Sequence, residues 1–423
     1  MTSLEQCVIL IGGLGTRLGP LTNDMPKPLL DVGGAPFLSL LIEEAARRGF
    51  KRILLLAGYK AEQVMTFAEL ASRRARVPIS IDVSVEPQPL GTAGALRHAE
   101  GLLEESFLLM NGDSWFDFNW LDLSLALGQG GRGCLGALSL RWMEDASRYG
   151  VVLTEGERVV RFAERGGQEG GRVNGGVYVL RQDICAELPR SGSLEAEVLP
   201  RLAKRGQLAA RSYDGFFIDI GVPVDFTRAQ RDVPARRRRP AAFLDRGGVL
   251  NVDRGYTHKP KDLEFVEGAV DAVRRLNDAG YYVMVVTNQA GVARGYYPEQ
   301  AVGGFHDTMQ AALREAGAHI DDWRFCPYHP EGTVERYRRD HDWRKPRAGM
   351  ILDLMSSWPI EPERSFLIGD KESDLIAGRA AGVASYLYSG GNLDRLGGAG
   401  AGDRRGDQPR RDREARIPNK TVP

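Results

Sequence analysis

Cys7-Val-Ile-Leu-Ile11 is a short apolar run rich in branched residues, and it stops at Gly12-Gly13-Leu14-Gly15. Such a run, closed by glycines, reads as a buried parallel strand that ends in a glycine loop. Apolar periodicity from Pro36 to Arg48 predicts a helix, which Gly49 ends. Arg52-Ile-Leu-Leu-Leu-Ala57 is the next strand, and Phe107-Leu-Leu-Met110 is another, leading into Asn111-Gly112-Asp113. Strand, helix and strand at this spacing predict βαβ units on a parallel sheet.

The pattern breaks between Arg231 and Pro240, where Pro234, the run Arg236 to Arg239 and Pro240 follow one another. A new strand, Ala241-Ala-Phe-Leu244, starts directly after it, so this basic run reads as a solvated linker and not as a nucleic-acid patch. A second α/β series runs to about Leu393, with strands at Tyr282-Val-Met-Val-Val286 and Ser365-Phe-Leu-Ile368. Asp394 to Pro423 is rich in Gly, Arg and Asp, nearly lacks apolar residues, and is expected to be disordered. The fold class expected is therefore α/β, with two doubly wound, mainly parallel domains. They cover residues 1–230 and 241–393, with the linker at 231–240 and the tail at 394–423. A chain of 423 residues has room for two or three domains.

Bulk properties exclude several classes. Lys plus Arg equals Asp plus Glu, 56 each, so nothing in the net charge points to nucleic acid. The four cysteines, Cys7, Cys134, Cys185 and Cys326, form no CxxC pair, which argues against a disulfide framework. No stretch approaches the ~20 apolar residues that cross a bilayer. No basic region followed by an apolar run precedes Cys7, so the cytoplasm is the expected location.

Transfer of a nucleotidyl group needs a cradle for the triphosphate, neutralisation of its charge, and an aligned acceptor. Gly12, Gly13 and Gly15 can bring backbone N–H groups to phosphate oxygens; Thr16 adds a hydroxyl and Arg17 a planar cation. Pro26-Lys27-Pro28 sets a lysine on a rigid turn. Asp113 lies at a strand's carboxyl edge, where open α/β sheets bind ligands. Asp219 lies far along the chain, in Phe217-Ile-Asp219-Ile-Gly221. Two such carboxylates can hold Mg²⁺ against phosphate. Taken singly, each could equally cap a helix or a turn.

Gly12-Gly-Leu-Gly-Thr-Arg-Leu18, Pro26-Lys-Pro28, Leu90-Gly-Thr-Ala-Gly94, Asn111-Gly-Asp113, Asn174-Gly-Gly-Val-Tyr178 and Asp219 occur in the order seen in sugar-1-phosphate nucleotidyltransferases. The resemblance covers about residues 5–230. It implies that Arg17 and Lys27 bind the triphosphate, that Gln88, Gly91 and Thr92 lie near the nucleotide, and that Asp113 and Asp219 bind magnesium. It also implies that Glu164, Arg165 and Asn174 hold the sugar phosphate. Arg165 stands where many relatives have Lys, which keeps the charge and changes the reach. Ile11 stands where a small residue is usual.

Phe243-Leu-Asp245-Arg-Gly-Gly-Val-Leu-Asn251, Thr287-Asn288-Gln289, Arg344-Lys345-Pro346 and Gly369-Asp370-Lys371 with Asp374 resemble the four motifs of the haloacid-dehalogenase phosphatases. The resemblance implies that Asp245 attacks phosphorus, forming an aspartyl-phosphate. Thr287, Asn288 and Arg344 would hold phosphate, Lys345 would neutralise charge, and Asp245 and Asp370 would bind Mg²⁺. Within that superfamily, Asn251-Val-Asp253-Arg-Gly-Tyr256 and Cys326-Pro-Tyr-His-Pro-Glu-Gly332 are most similar to heptose 1,7-bisphosphate phosphatases.

Two positions depart from that pattern. Gly247 replaces an Asp that the family uses as general acid and base, help typically worth ~10²–10⁴ in rate. Asp253 is a conceivable substitute. Tyr328 and Trp343 replace two ligands of the zinc loop that many such enzymes carry, leaving Cys326 and His341; recruiting His329 gives a third ligand, still one short of the four Cys or His that a structural zinc site usually needs, so zinc is not expected.

The pairing of halves implies a two-step enzyme. It would remove the 7-phosphate of D-glycero-D-manno-heptose 1,7-bisphosphate and then join a nucleotide, GMP by resemblance to guanylyltransferases, to the 1-phosphate. Its partners would be GTP and a sugar phosphate, with no nucleic acid and no membrane. The alternative is a transferase for mannose or another hexose 1-phosphate, whose second domain is an impaired regulatory or structural module because of Gly247.

Overall fold

The computed structural model describes residues 4–74, 77–146, 150–163 and 170–395. The first sheet has nine strands. They are β1 (Gln6–Leu10), β2 (Arg52–Ala57), β3 (Ser80–Val85), β4 (Ser106–Asn111), β6 (Gly136–Met143), β7 (Val152–Glu155), β8 (Arg158–Phe162), β9 (Gly171–Arg181) and β10 (Leu208–Ser212). A separate small ribbon pairs β5 (Ser114–Phe116) with β11 (Phe217–Asp219). The strand order of the large sheet is β3-β2-β1-β4-β9-β6-β10-β8-β7. The half from β3 to β4 is parallel throughout. β9 then runs antiparallel to both β4 and β6 and turns the sheet into a mixed one.

Side chains alternate across this sheet because successive Cβ atoms point to opposite faces. Cys7 and Ile9 enter one apolar core with the helix Phe37–Arg47, and Val8 enters the other with Leu54, Leu96 and Tyr178. All of these residues are buried, as a sheet covered on both faces requires.

The second sheet is wholly parallel, in the order β14-β13-β12-β15-β16. Its strands are β12 (Ala241–Leu244), β13 (Tyr282–Asn288), β14 (Asp322–Cys326), β15 (Phe366–Gly369) and β16 (Ala384–Leu387). The first strand lies in the middle, as in a doubly wound fold.

The stretch Arg231–Pro240 is only partly solvated, with Arg231, Arg236 and Arg238 exposed and Arg239 buried, and it is not irregular. The helix Pro223–Arg237 runs through most of it. Pro234 sits inside that helix, against Gly33, whose φ of 65° and crowded Cα leave no space for a side chain. Arg239 is buried between the two domains. There Glu44 Oε2 accepts from Arg48 at 2.6 Å and lies 2.8 Å from Arg47 and 3.4 Å from Arg239. Arg239 also pairs with Asp117 at 3.1 Å, and Arg47 with Asp321 at 2.7 Å. The cluster spans both domains, so Arg239 is drawn inward by Glu44 and Asp117, while Arg236 and Arg238 stay exposed. Of the segment expected to be a disordered tail, Asp394 is described and pairs with Arg275 at 2.5 Å; 396–423 lie outside the described residues.

The domains meet base to base. Arg314 donates to the carbonyls of Leu4, just before β1, and of Arg48. Asn119 donates to Asp278 and to the Gly317 carbonyl, and Asp321 stands just before β14. These groups lie at the amino ends of the strands, so the two carboxyl edges face away from each other.

Candidate active sites

Asp113 lies two residues beyond β4 and directly before β5, and Asp219 ends β11. The ribbon brings them together: Asp219 pairs in register with Ser114, and the Ile220 amide donates to the Asp113 carbonyl at 2.9 Å. Burial pushes the Asp219 carboxyl above its ordinary pKa, and the neighbouring Asp113 charge adds to the rise. Lys27, opening the short turn Lys27–Leu29, is ion-paired with Asp113. Gly221 marks the meeting point. A Cβ there would lie 2.8 Å from Asp219 Oδ1, 3.1 Å from Arg17 and 3.5 Å from the Lys27 ammonium. Two cations and two carboxylates, separated by up to two hundred residues, thus face one small volume.

A cavity of about 650 Å³ opens beside them, lined by Gly12, Gly13 and Leu14 on one wall and Gln88, Gly91 and Thr92 on another. Lys27 and Asp113 stand at its end. Gly91, at φ 72°, lies so close to the Gly192 carbonyl that a Cβ would come within 2.4 Å of it. Several expected ligands do other work. Gly15 and Thr16 lie outside the lining: Gly15, at φ 66°, precedes the short helix Thr16–Thr22, and Thr16 is exposed. Thr92 Oγ1 donates to Glu195 at 2.9 Å and accepts from the Leu194 amide, which fixes Glu195 in the cavity wall. Asn174 spends its amide on Tyr178 Oη at 2.7 Å and on the Gly176 N–H at 3.0 Å. Glu164 and Arg165 lie outside the described residues.

Glu86 is a cavity residue that the motif reading passed over. Its Oε2 accepts the Leu90 amide at 2.9 Å. Cβ atoms at Gly12 and Gly58 would come within 2.8 and 2.1 Å of Oε1, so two glycines leave the slot that this carboxylate fills. Asn111 and Glu195 also line the cavity unforeseen.

In the second domain Asp245 follows β12. The Lys345 ammonium lies 2.7 Å from Asp245 Oδ1 and 2.6 Å from Asp374 Oδ1, and donates to the Val286 carbonyl at 2.8 Å. Burial opposes the charge on Lys345, but the two carboxylates outweigh it and hold its pKa above the usual lysine value. Asn288 exchanges two hydrogen bonds with the backbone of Lys345, at 3.0 and 3.1 Å. It thus positions the lysine, and it also lines the cavity in which the resemblance has it hold phosphate. Thr287 is buried and lines the cavity of about 270 Å³ above Asp245; Arg344 does not line it and reaches the Tyr328 carbonyl instead. Asp370 follows β15, and its carboxylate, with those of Asp245 and Asp374, offers oxygens within 4.8 Å of one another. Asp370 Oδ1 is buried without a hydrogen-bond partner. Burial, and then the Asp245 charge, push its pKa up. In the loop beyond β14, His341 stacks on Tyr328 at 4.4 Å and Cys326 Sγ faces the Tyr328 carbonyl.

The nucleotidyl transferase family model matches residues 6–236 of this sequence, and a HAD-hydrolase-like model matches residues 342–410. The chain belongs to the nucleotidyl transferase family. Its second domain is of the HAD phosphatase type. It is 49% identical over 157 residues to the D-glycero-beta-D-manno-heptose-1,7-bisphosphate 7-phosphatase of Rhodopseudomonas palustris, a match spanning 37% of this chain and 87% of that protein. The corresponding enzyme of Pasteurella multocida is 40% identical over 147 residues, 35% of this chain and 79% of its own. Among solved structures, HddC from Yersinia pseudotuberculosis is similar to 54% of this chain over its whole length, with 32% identity and a TM-score of 0.48. The protein is thus an enzyme that fuses a nucleotidyl transferase domain to a heptose-bisphosphate-phosphatase-like domain. Among the described residues no helix is long and apolar enough to cross a membrane.

Proposed function

We propose that this enzyme makes an activated heptose in two steps. The second domain removes the 7-phosphate of D-glycero-D-manno-heptose 1,7-bisphosphate. The first domain then transfers GMP from GTP to the heptose 1-phosphate. The observation that carries the transferase half is the meeting of Arg17, Lys27, Asp113 and Asp219 around Gly221. The sugar is read from the second domain, whose relatives are named for heptose bisphosphate.

In the transferase domain the glycine loop and the two cations would hold the triphosphate. An oxygen of the sugar phosphate would attack the α-phosphorus as pyrophosphate leaves, and Arg17 and Lys27 would balance the charge that builds up. The guanine assignment is supported by Glu86, whose carboxylate sits in a slot of the cavity wall. Guanine presents two adjacent N–H donors on one edge, a match for one carboxylate, which only accepts.

A divalent cation fits both sites. In the first, Asp113 and Asp219 crowd together with the Asp219 charge disfavoured; in the second, Asp370 Oδ1 is buried and unpaired beside Asp245. We assign Mg²⁺ to Asp113 and Asp219, and to Asp245 and Asp370; it supplies Lewis-acid stabilisation of phosphate oxygens. The cytoplasm is the compartment that fits four free, buried cysteines.

The test is a panel of nucleoside triphosphates against mannose, glucose, N-acetylmuramate and heptose 1-phosphates, read by pyrophosphate release. The highest kcat/KM for GTP with heptose 1-phosphate supports the reading, and a higher value for a hexose overturns the acceptor. A second reading, a catalytically silent phosphatase domain, is favoured by Gly247 alone. Phosphate release from heptose bisphosphate above that of Asp245→Asn would exclude it.

A further inference from the structure

We infer that Asp253 is the general acid and base of the phosphatase domain, taking the place that the side chain at position 247 leaves open. The inference rests on the phosphatase reading above.

The chain after Asp245 makes a tight return. The amides of Leu250 and Asn251 donate to the Arg246 carbonyl at 2.9 and 3.0 Å, and Gly248 donates to the Asn251 carbonyl at 2.8 Å. Gly247 bridges Asn251 across this turn, which carries Asp253 back beside the nucleophile loop. A Cβ at Gly247 would stand 3.4 Å from both Cγ and Oδ2 of Asp253, ordinary van der Waals contact. The Asp253 carboxyl therefore occupies the space into which a residue at 247 would point.

The carboxyl is also oriented. Its Oδ1 accepts the Gly255 amide at 3.0 Å and faces Thr257 Oγ1 at 3.5 Å, while Oδ2 is the atom on the Gly247 side. The other carboxylates of the cavity are committed. Asp245 and Asp374 both face the Lys345 ammonium, and Asp374 Oδ2 also accepts the Lys371 amide. Asp253 is the one left to serve the leaving group.

The chemistry balances with one proton. An Asp245 oxygen bonds to phosphorus and the bond from phosphorus to the sugar oxygen breaks. Protonated Asp253 gives its proton to that oxygen, so an alcohol leaves. Water then attacks phosphorus and passes a proton to the Asp253 carboxylate. The bond from phosphorus to Asp245 breaks, phosphate departs, and Asp253 is again protonated.

The test uses the full chain, with heptose 1,7-bisphosphate and with 4-nitrophenyl phosphate, whose phenolate leaves without a proton. Asp253→Asn keeps the acceptor for Gly255 and is expected to lower phosphate release from the heptose substrate at least ~100-fold. The burst of nitrophenol in the first turnover should fall far less. Gly247→Asp, combined with Asp253→Ala, should restore much of the loss, because the alanine vacates the space into which a residue at 247 points. If Asp253→Asn matches wild type on heptose bisphosphate, or if it lowers the nitrophenol burst by the same factor, the assignment is wrong while the phosphatase reading stands. If wild type is no faster than Asp245→Asn on either substrate, both fail together.

Discussion

Replacing Glu44 by Gln should unseat the two domains from each other. Glu44 is buried and its Oε2 lies within 3.4 Å of three guanidinium groups, those of Arg47, Arg48 and Arg239. With half-buried Asp117 and buried Asp321 as the other acids, three buried cations face two buried anions and one at the rim. Burial raises the Glu44 pKa, but Arg47, Arg239 and Arg48 together carry it well below the usual carboxylate value. Gln removes one anion and leaves a net buried positive charge. Breaking a buried pair in this way costs about 3–5 kcal/mol, against less than about 1 for an exposed pair. The assay is urea unfolding at neutral pH, followed by far-UV circular dichroism and by transferase activity. We expect a loss near 3–5 kcal/mol, with the two probes separating as the domains come apart. Because the folded pKa of Glu44 is depressed, its contribution is complete above the unfolded value, about 4.3, and fades as pH falls through the folded value. The gap between variant and wild type should therefore shrink below about pH 4. A loss under about 1 kcal/mol at neutral pH would refute the claim that this cluster holds the domains together.

Four further outcomes follow from the two sites. Asp219→Asn should lower nucleotidyl transfer about 100-fold or more, with phosphate release unchanged, because the change removes several kcal/mol of charge stabilisation from one domain only. Since the Asp219 pKa is raised, protons compete with metal at higher pH than for an ordinary aspartate, and Mg²⁺ affinity at the transferase site, measured calorimetrically in Asp245→Asn/Asp370→Asn protein, should start to fall on acidification before an ordinary aspartate would protonate. Glu86→Gln should reduce kcat/KM for GTP by roughly 10–100-fold while leaving ATP nearly unaffected, the cost of one lost charged hydrogen bond. The base-to-base packing puts at least one strand of each sheet between the sites, on the order of 30 Å; unlabelled heptose 1-phosphate added to the medium should therefore dilute label from heptose bisphosphate completely in the nucleotide-sugar product.

The strand, glycine loop and helix at the start were legible in the chain because each is a local pattern. The run from Cys7 becomes β1, and the helix expected from Pro36 is Phe37–Arg47. Asp113 and Asp219 were legible as acids, but their meeting depends on a two-strand ribbon of three residues each, which leaves almost no periodic signal. The reversal at β9 was not foreseen, since an apolar strand buried on both faces reads alike in either direction. Arg239 misled for a different reason. A run of like charges reads as solvated unless its counter-ions are known, and Glu44 and Asp117 lie far away in sequence. Glu86 was hidden because nothing local explains a carboxylate there; its slot is made by Gly12 and Gly58.

The most direct measurement is a single incubation of the whole chain with heptose 1,7-bisphosphate, GTP and Mg²⁺, with phosphate, pyrophosphate and GDP-heptose counted together. We expect one phosphate and one pyrophosphate for each GDP-heptose, with nucleotide-sugar formation slowed about 100-fold or more when Asp113 or Asp219 is replaced by Asn. GDP-heptose made at the wild-type rate by either variant, or none made by the wild type from heptose 1-phosphate supplied directly, would contradict the account.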